Sequence, residues 1–494
     1  MSTAVSSKSL IGIEEVRVGM FIHLNMSWMS HPFPLGNFKI TSAEQIETIR
    51  SLGLKQLRWS PSQSDIAVET GGLGRATDFD RLAQEGDSTF TGASAAAASA
   101  LDAAPAPSPA AAAAFGAAHD AAHDSTEHDA AAHDVASHSG GAPVPSPEFL
   151  AHREHMRALA AQQAAQQLCE RQFTEATRDC RALSDLALQR PKEAKAQAEA
   201  LSRALVDKMM VDQDLCIRLL TEAAGDKAAA HAMNVTVISL LMGRSLGLSD
   251  AEMLDLGVGA MLHDLGKLEL PDRVRFREDH FTGAELRFYE EHVAHGVGLA
   301  RKMGLSPGAT LVIAQHHEHA DGTGFPLHLN TDRMTQASRI VALVNRYDNL
   351  CNPHLAAKAL TPHESLSLMF AQGKTKFDTP ILGAFIRMMG VYPAGSTVQL
   401  TDDRYGIVVA VNSSRPLKPR VLVHEPGVPR DEALIIDLET LTGVGIRRSI
   451  KPQQLPAASL DYLAPRPRVT YFFEALAHDT AHEDALATAQ SNDR

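Results

Sequence analysis

His231, the pair His263-Asp264, His292 and the adjacent pair His316-His317 follow one another through a stretch of sequence that is otherwise apolar and helical in pattern. Imidazole and carboxylate together form a ligand set suited to Fe, Mn, Co, Ni or Zn rather than Ca. Such ions lower the pKa of bound water and neutralise charge on phosphate oxygens, so the chemistry expected is hydrolysis of a phosphate ester. A single carboxylate, Asp264, can bridge two cations while histidines fill the flanks. Neighbouring histidines cannot share one face of a helix or strand, so His316-His317 is expected at the end of an element. The sequence that follows it, Glu318-His-Ala-Asp321-Gly322-Thr-Gly324-Phe325-Pro326, is an acidic, glycine-rich turn closed by proline.

The elements needed to position these side chains are helices. From 206 to 393 one apolar-periodic segment follows another with short loops between, the pattern of an all-α core. Helices are predicted at 230–246, 250–265, 283–303, 306–316 and 339–350. In Met261-Leu-His263-Asp264-Leu-Gly266-Lys267-Leu268 a histidine and an aspartate interrupt an apolar helix. Ahead of this core, residues 149–205 read as one or two linking helices, and a homodimer through them is a further expectation.

Residues 1–69 are expected to be a small α+β unit, with a strand near Phe21-Ile22 and a helix from Thr41 to Leu52 capped by Ser42 and stopped by Gly53. From 70 to 148 the composition collapses into Ala, Ser, Pro, Gly, His and Asp, which reads as a disordered linker. Four His-Asp dipeptides occur there, at 119–120, 123–124, 128–129 and 133–134, and another at His478-Asp479. A bare His-Asp pair therefore carries no information. After 393 short strands split by turns predict a small β unit over 394–456, and 457–494 reads as a flexible tail. The fold class expected is a multi-domain, mainly α protein whose helical bundle carries a metal site.

Bulk properties narrow the partners. A net charge of −13 over 494 residues argues against a broad DNA, RNA or acidic-membrane surface. Cys169, Cys180, Cys216 and Cys351 are scattered without C-x-x-C spacing, which fits a reducing compartment. No apolar run reaches the roughly 18 residues needed to span a bilayer, and the first residues lack the apolar core of a signal peptide. A cytoplasmic protein is expected.

The motifs H-D-x-G-K at 263–267, H-x-x-x-G at 292–296 and H-H-E-x-x-D-G-x-G-F-P at 316–326 resemble the HD-GYP family of cyclic di-GMP phosphodiesterases, a branch of the HD phosphohydrolases. The resemblance runs from His231 to Pro380. Near the N-terminus, Gly19-Met20, Trp28, His31-Pro32-Phe33 and Phe38 resemble a small domain of unknown function found in some HD-GYP proteins, which would serve a protein partner. The resemblance implies two divalent transition metals, Fe or Mn first and Co, Ni or Zn next. His231, His263 and Asp264 would hold one, and Asp264, His292, His316 and His317 the other. Asp264 and Lys267 would carry the chemistry, turning cyclic di-GMP into pGpG and onward into GMP. Lys267 and Asp348 would meet the nucleotide, and Gly322 and Gly324 would let the loop turn tightly beside it. His295 and His319, next to motif residues, are not expected to be ligands.

The departures from the family pattern fall on one side of the site. Family members place an aspartate ligand where Asn345 stands; an amide oxygen can coordinate a cation but brings no charge, so the first metal is expected to bind weakly. Lys227 stands where three-metal members carry a glutamate. The family's R-P-Y-[KR] run is replaced by Asn352-Pro-His354-Leu-Ala-Ala-Lys358, which removes an arginine expected at the phosphate. Phe325 replaces the tyrosine of the family name and keeps its ring. Two further expectations stand beside phosphodiesterase activity: a degenerate, non-catalytic nucleotide sensor or interaction module, and an HD phosphohydrolase acting on another nucleotide.

Overall fold

The computed structural model describes residues 9–24, 26, 33, 37–65, 146–210, 214–220, 226–276, 279–372, 375–413 and 415–475. The low-complexity linker lies outside the described residues except for 146–148, which open a helix. Trp28, His31 and Pro32 also lie outside them.

The N-terminal unit is a four-stranded antiparallel sheet in the order β1-β4-β2-β3, built from β1 (Ser9–Gly12), β2 (Phe21–His23), β3 (Asn37–Lys39) and β4 (Gln56–Trp59). One helix, α1 (Ala43–Ser51), joins β3 to β4. The Ser42 hydroxyl accepts from the backbone N–H of Gln45, and Gly53 adopts φ +71°, so the cap and the stop act where the sequence put them. Val16, Met20, Ile22, Ile40, Ile49 and Leu57 close a small core of their own.

Two long helices follow, α2 (Pro147–Gln189) and α3 (Pro191–Met209), divided by Arg190 and Pro191 because proline cannot continue a helix that it enters. Neither is a bare connector. Phe173, Ala176 and Leu183 of α2 and Leu201 and Leu205 of α3 belong to the main apolar core. At its end α3 also meets the N-terminal unit, where the buried Lys208 Nζ donates to the carbonyl of Phe33 at 2.7 Å.

The helical core comprises α4 (Lys227–Ser245), α5 (Asp250–Leu262), α6 (Gly283–Met303), α7 (Pro307–Gln315), α8 (Gln336–Cys351), α9 (Pro362–Gln372) and α10 (Thr379–Met389). Their starts are marked locally: Asp226 caps α4, Ser249 with Glu252 and Thr282 with Glu285 form capping boxes on α5 and α6, and Ser306 with Pro307 opens α7. The predicted helix over 283–303 matches α6. The helix predicted over 250–265 ends at 262 instead, and a tight 3-10 turn over 265–269 follows.

The C-terminal β segment differs from expectation in two ways. Strands β6 (Thr397–Leu400), β7 (Tyr405–Asn412), β8 (Arg420–Val423), β9 (Ile436–Asp437) and β10 (Ile446–Ser449) do form. They share one sheet with β5 (Leu215–Leu219), a strand set between α3 and α4, and with β11 (Tyr471–Ala475). The main path is β10-β6-β7-β5-β11, with β8 pairing β7 and β9. Residues 394–456 are thus continuous with the helical core: Val398, Leu400 and Val408 lie in one apolar cluster with α4 and α8. The reading of 457–494 as a tail is corrected over its first part, which holds α11 (Ala457–Leu463) and β11. Strand β11 is tethered by five register pairs to β5, by the buried Arg218–Glu474 ion pair at 2.6 Å, and by Tyr471 and Phe472, which have no exposed surface.

Candidate metal centre

Three of the expected ligands, two at helix ends and one within a helix, are aimed by their own backbone. His263 is the C-cap of α5, and its Nδ1 donates to the Ala260 carbonyl at 2.7 Å. His292, inside α6, donates from Nδ1 to the Tyr289 carbonyl at 2.6 Å. His316, the C-cap of α7, does the same to the Ile313 carbonyl at 2.8 Å. A carbonyl only accepts, so in its neutral form each ring carries its proton on Nδ1 and offers a bare lone pair at Nε2. His231 on α4 is aimed differently, by a side chain: its Nδ1 lies 2.6 Å from Asp348 Oδ2.

The Nε2 atoms converge on Asp264. His263 and His231 stand 3.4 and 3.7 Å from Oδ2, and His316 and His292 stand 3.6 and 3.7 Å from Oδ1. Two overlapping groups result, His231/His263/Asp264 and Asp264/His292/His316/His317, each with ligand atoms mutually within 4.8 Å. Two pairs of Nε2 atoms face each other, His231 with His263 at 3.2 Å and His292 with His316 at 3.4 Å. Among the described residues, nothing hydrogen-bonds the buried Asp264 Oδ1 and His317 Nε2. Unpartnered acceptors aimed at one another are costly in a protein interior. A divalent cation in each group would satisfy them, so the residues fit the metals that the sequence implies.

Electrostatics prepares the same state. Burial drives His292 down to about 3, with His316 and Lys267 adding to the effect against the attraction of Asp264. His316 and His317 are likewise lowered, first by burial and then by neighbouring imidazoles. All three rings are neutral at pH 7, the form that coordinates. Burial alone would raise the carboxyl of Asp264, but Lys267 above all, with His263 beside it, holds it well below the usual carboxylate range. Lys267 Nζ donates to Asp264 Oδ2 at 2.6 Å and lies 5.4 Å from the centre of the Tyr289 ring.

Glycines make the convergence possible at two positions. A Cβ on Gly266 would stand 1.9 Å from the carbonyl oxygen of His292, so only glycine lets the 265–269 turn press against α6. A Cβ on Gly324 would stand 2.4 Å from the carbonyl oxygen of His317 and 2.4 Å from the nitrogen of His319. The loop is fastened by Glu318, whose carboxylate accepts from the backbone N–H groups of Leu327 at 2.7 Å and Leu329 at 2.9 Å. Phe325 lies over His317 with ring centres 4.5 Å apart. That stacking needs a ring and no hydroxyl.

The centre forms part of a cavity of about 1110 Å³ whose lining includes Asp264, Lys267, His316, His317 and Asn345. Arg275, Arg346, Lys376 and Arg468 also line it, so cations missing from the 352–358 run are supplied by other segments. His354 stacks on Phe276 at 4.4 Å, forming a flat aromatic surface on the wall. Lys358 is paired with Asp279.

Some expected residues stand elsewhere than their expected roles require. Asp348 has no exposed surface, and its carboxylate accepts from His231, Asn234 and Asn352, which places it behind a histidine rather than against a ligand. The Oδ1 of Asn345 accepts from Asn349 at 2.6 Å. Gly322 takes φ +74° at the base of the loop. His295 pairs with Glu269 and His319 with the Thr323 hydroxyl, both outside the cluster. Asn234 and Arg468 went unnoticed in the sequence because an asparagine inside a helix and an arginine in a loop carry no spacing signal, and Asn352 stood out only as the start of the 352–358 run. Glu318 was legible only as part of its motif.

Residues 181–381 match the HD domain family, and residues 9–198 match a domain of unknown function, DUF3391. A cyclic di-GMP phosphodiesterase of Pseudomonas aeruginosa is 28% identical over 194 residues, covering 39% of this chain and 47% of that protein. A cyclic di-GMP phosphodiesterase response regulator of Xanthomonas campestris is 31% identical over 162 residues, 32% of this chain and 43% of the relative. A 3′3′-cGAMP-specific phosphodiesterase of Vibrio cholerae is 29% identical over 176 residues, 35% and 38% of the two chains. The chain thus spans about half the length, or less, of these relatives. Among solved structures, an HDG"Y"P protein from Bdellovibrio bacteriovorus is 18% identical with a TM-score of 0.34, covering 43% of this chain and 68% of that one. Among the described residues no helix is long and apolar enough to cross a membrane.

Proposed function

We propose, from the match of residues 181–381 to the HD domain family and of residues 9–198 to DUF3391, that this chain is a metal-dependent phosphodiesterase that hydrolyses cyclic di-GMP to pGpG and onward to GMP. The observation that carries this reading is the pair of ligand groups sharing Asp264 beside a cavity large enough for a dinucleotide. Divalent transition ions, when bound, supply a water of lowered pKa and offset the charge on phosphate oxygens. His231, His263 and Asp264 hold one ion in this reading, with Asn345 as a neutral neighbour, and Asp264, His292, His316 and His317 hold the other.

The chain's own groups bind and orient. Lys267 Nζ, bonded to Asp264 Oδ2 and lining the cavity, would meet a phosphate oxygen of the bound nucleotide. Arg275, Arg346 and Arg468 surround the anionic substrate from separate segments, and the Phe276–His354 face receives a base. Gly322 and Gly324 keep the loop backbone low beside the site, and Phe325 shields His317 from water. The same reading assigns residues 1–69 to a protein partner and places the chain in the cytoplasm, with α2 and α3 available to a homodimer.

Protein purified without oxygen, analysed for metal and assayed with cyclic di-GMP on one sample, tests the proposal. Two metal equivalents and a linear product are expected; a loaded protein that binds the nucleotide and leaves it intact overturns it. A second reading, an impaired site that senses nucleotide, is favoured by Asn345, whose amide oxygen is already bonded to Asn349. A large gain in metal content and turnover on Asn345→Asp supports that reading. The cGAMP-specific relative makes a panel of cyclic dinucleotides the test of substrate choice.

A further inference from the structure

His231 is the only histidine of the two ligand groups aimed by a side chain whose own placement depends on a distant part of the chain. Asp348 Oδ2 faces His231 Nδ1, while Oδ1 accepts from Asn234 Nδ2 at 2.8 Å and Asn352 Nδ2 at 2.9 Å. No lysine or arginine pairs with this fully buried carboxylate among the described residues. Neutral donors must therefore satisfy it.

An asparagine can present either its NH₂ or its oxygen, and what fixes the choice here is the strand β11 with the turn before it. Asn234 Oδ1 accepts from the backbone N–H of Tyr471 at 3.0 Å, and its Nδ2 also donates to the carbonyl of Val469 at 3.1 Å. Asn352 repeats the pattern: Oδ1 accepts from the N–H of Val469 at 2.9 Å, and Nδ2 donates to the Val469 carbonyl at 2.8 Å. With both oxygens committed to the strand, both NH₂ groups must face Asp348. Its second oxygen then receives the Nδ1 proton of His231, and Nε2 is left bare toward Asp264. The strand is held independently of this network by its pairing with β5 and by the Arg218–Glu474 ion pair. Tyr471 adds an anchor through its hydroxyl, which bonds the Ala394 carbonyl at 3.2 Å.

We infer that the C-terminal strand is a working part of the metal centre, with Asn234 and Asn352 as positioning residues that fix the orientation of His231 through Asp348. The inference rests on the metal-dependent reading of the site given above, and it adds that one of the two ligand groups is completed only when residues 469–471 are docked. Loss of the strand's hydrogen bonds weakens the His231 group and leaves the His292 group intact.

The test is titration of metal-free, full-length protein with Co(II), following the visible absorption of the bound ion, for the natural chain, Asn352→Ala, Asp348→Asn and Phe473→Leu. Phe473→Leu thins the packing of the strand without touching the asparagines. Asn352→Ala and Asp348→Asn are expected to weaken one equivalent by about 10- to 100-fold, the range for orienting partners of metal ligands, with the other equivalent unchanged. Phe473→Leu is expected to lower the melting temperature while keeping both. Natural affinity for both equivalents in Asn352→Ala and Asp348→Asn overturns the inference while the metal site stands. So does equal loss in Phe473→Leu at the same fall in melting temperature. A natural chain that takes up no Co(II) overturns the metal reading itself and this inference with it.

Discussion

The two halves of the histidine–aspartate cluster are built by different means. In the His292/His316/His317 half, two of the three rings are held by carbonyls three residues earlier in their own helices, and glycines at 266 and 324 clear the backbone around them. In the His231 half, one ring depends on a carboxylate from α8, which depends on two asparagines, which depend on a strand more than a hundred residues further on. Local scaffolding gives a set of neutral rings, two of them fully buried and the third half-buried. Remote scaffolding gives a half whose geometry can be loosened without unfolding the bundle.

The contrast can be broken first at the residue both halves share. Asp264→Ala removes a ligand from each group, and we expect complete loss of bound metal by elemental analysis, with phosphodiesterase activity lost alongside. Gly266→Ala attacks the local scaffold: its methyl must displace the backbone of α6, so a loss of about 3 kcal/mol or more is expected in urea unfolding. Single removals sharpen the comparison. His292→Ala and His231→Ala should each cost one metal equivalent and each lower the metal-free stability, His292→Ala by emptying a fully buried site and His231→Ala by leaving Asp348 Oδ2 buried without its donor.

Smaller effects follow. Arg468→Ala should weaken cyclic dinucleotide binding about tenfold, the value of one hydrogen bond to a charged group, in equilibrium binding at fixed salt. The pH dependence tests the neutral rings. In the folded state His292, His316 and His317 have lowered pKa values, so the unfolded chain takes up protons first as pH falls. Stability of metal-free protein is therefore present above the ordinary histidine pKa and declines below pH ~6.5, by at most about 1.4 kcal/mol per pH unit for each ring. For His292 the decline continues to about pH 3, where the folded protein also takes the proton. Denaturant midpoints that stay flat from pH 7 to 5 would show the rings to be solvated.

Legibility tracked the locality of the interactions. The helical core, the capping residues and the placement of His316-His317 at a helix end were readable because each depends on neighbours within a turn of chain. Asp348 was misread because its sequence position says only that it lies one turn from Asn345, whereas tertiary packing turned it toward His231. The tail was misread over 457–475 because a short strand such as Tyr-Phe-Phe-Glu-Ala acquires its partner only when β5 is already in place. Likewise the arginines of the cavity could be counted in the sequence but not located, since they come from three separate segments.

The sequence by itself determined which atoms can act as ligands and what they select: imidazoles and one central carboxylate in an order that a helical bundle can gather, with glycine where a side chain would collide. Tertiary structure alone decided which nitrogen of His231 is free, which cations face the cavity, and that the chain's last described strand closes the site. The physical reason is that a lone pair's direction is fixed by the hydrogen bond on the other side of the ring. For three of the five histidines that bond is local, and for His231 it is reached only after the whole core has folded.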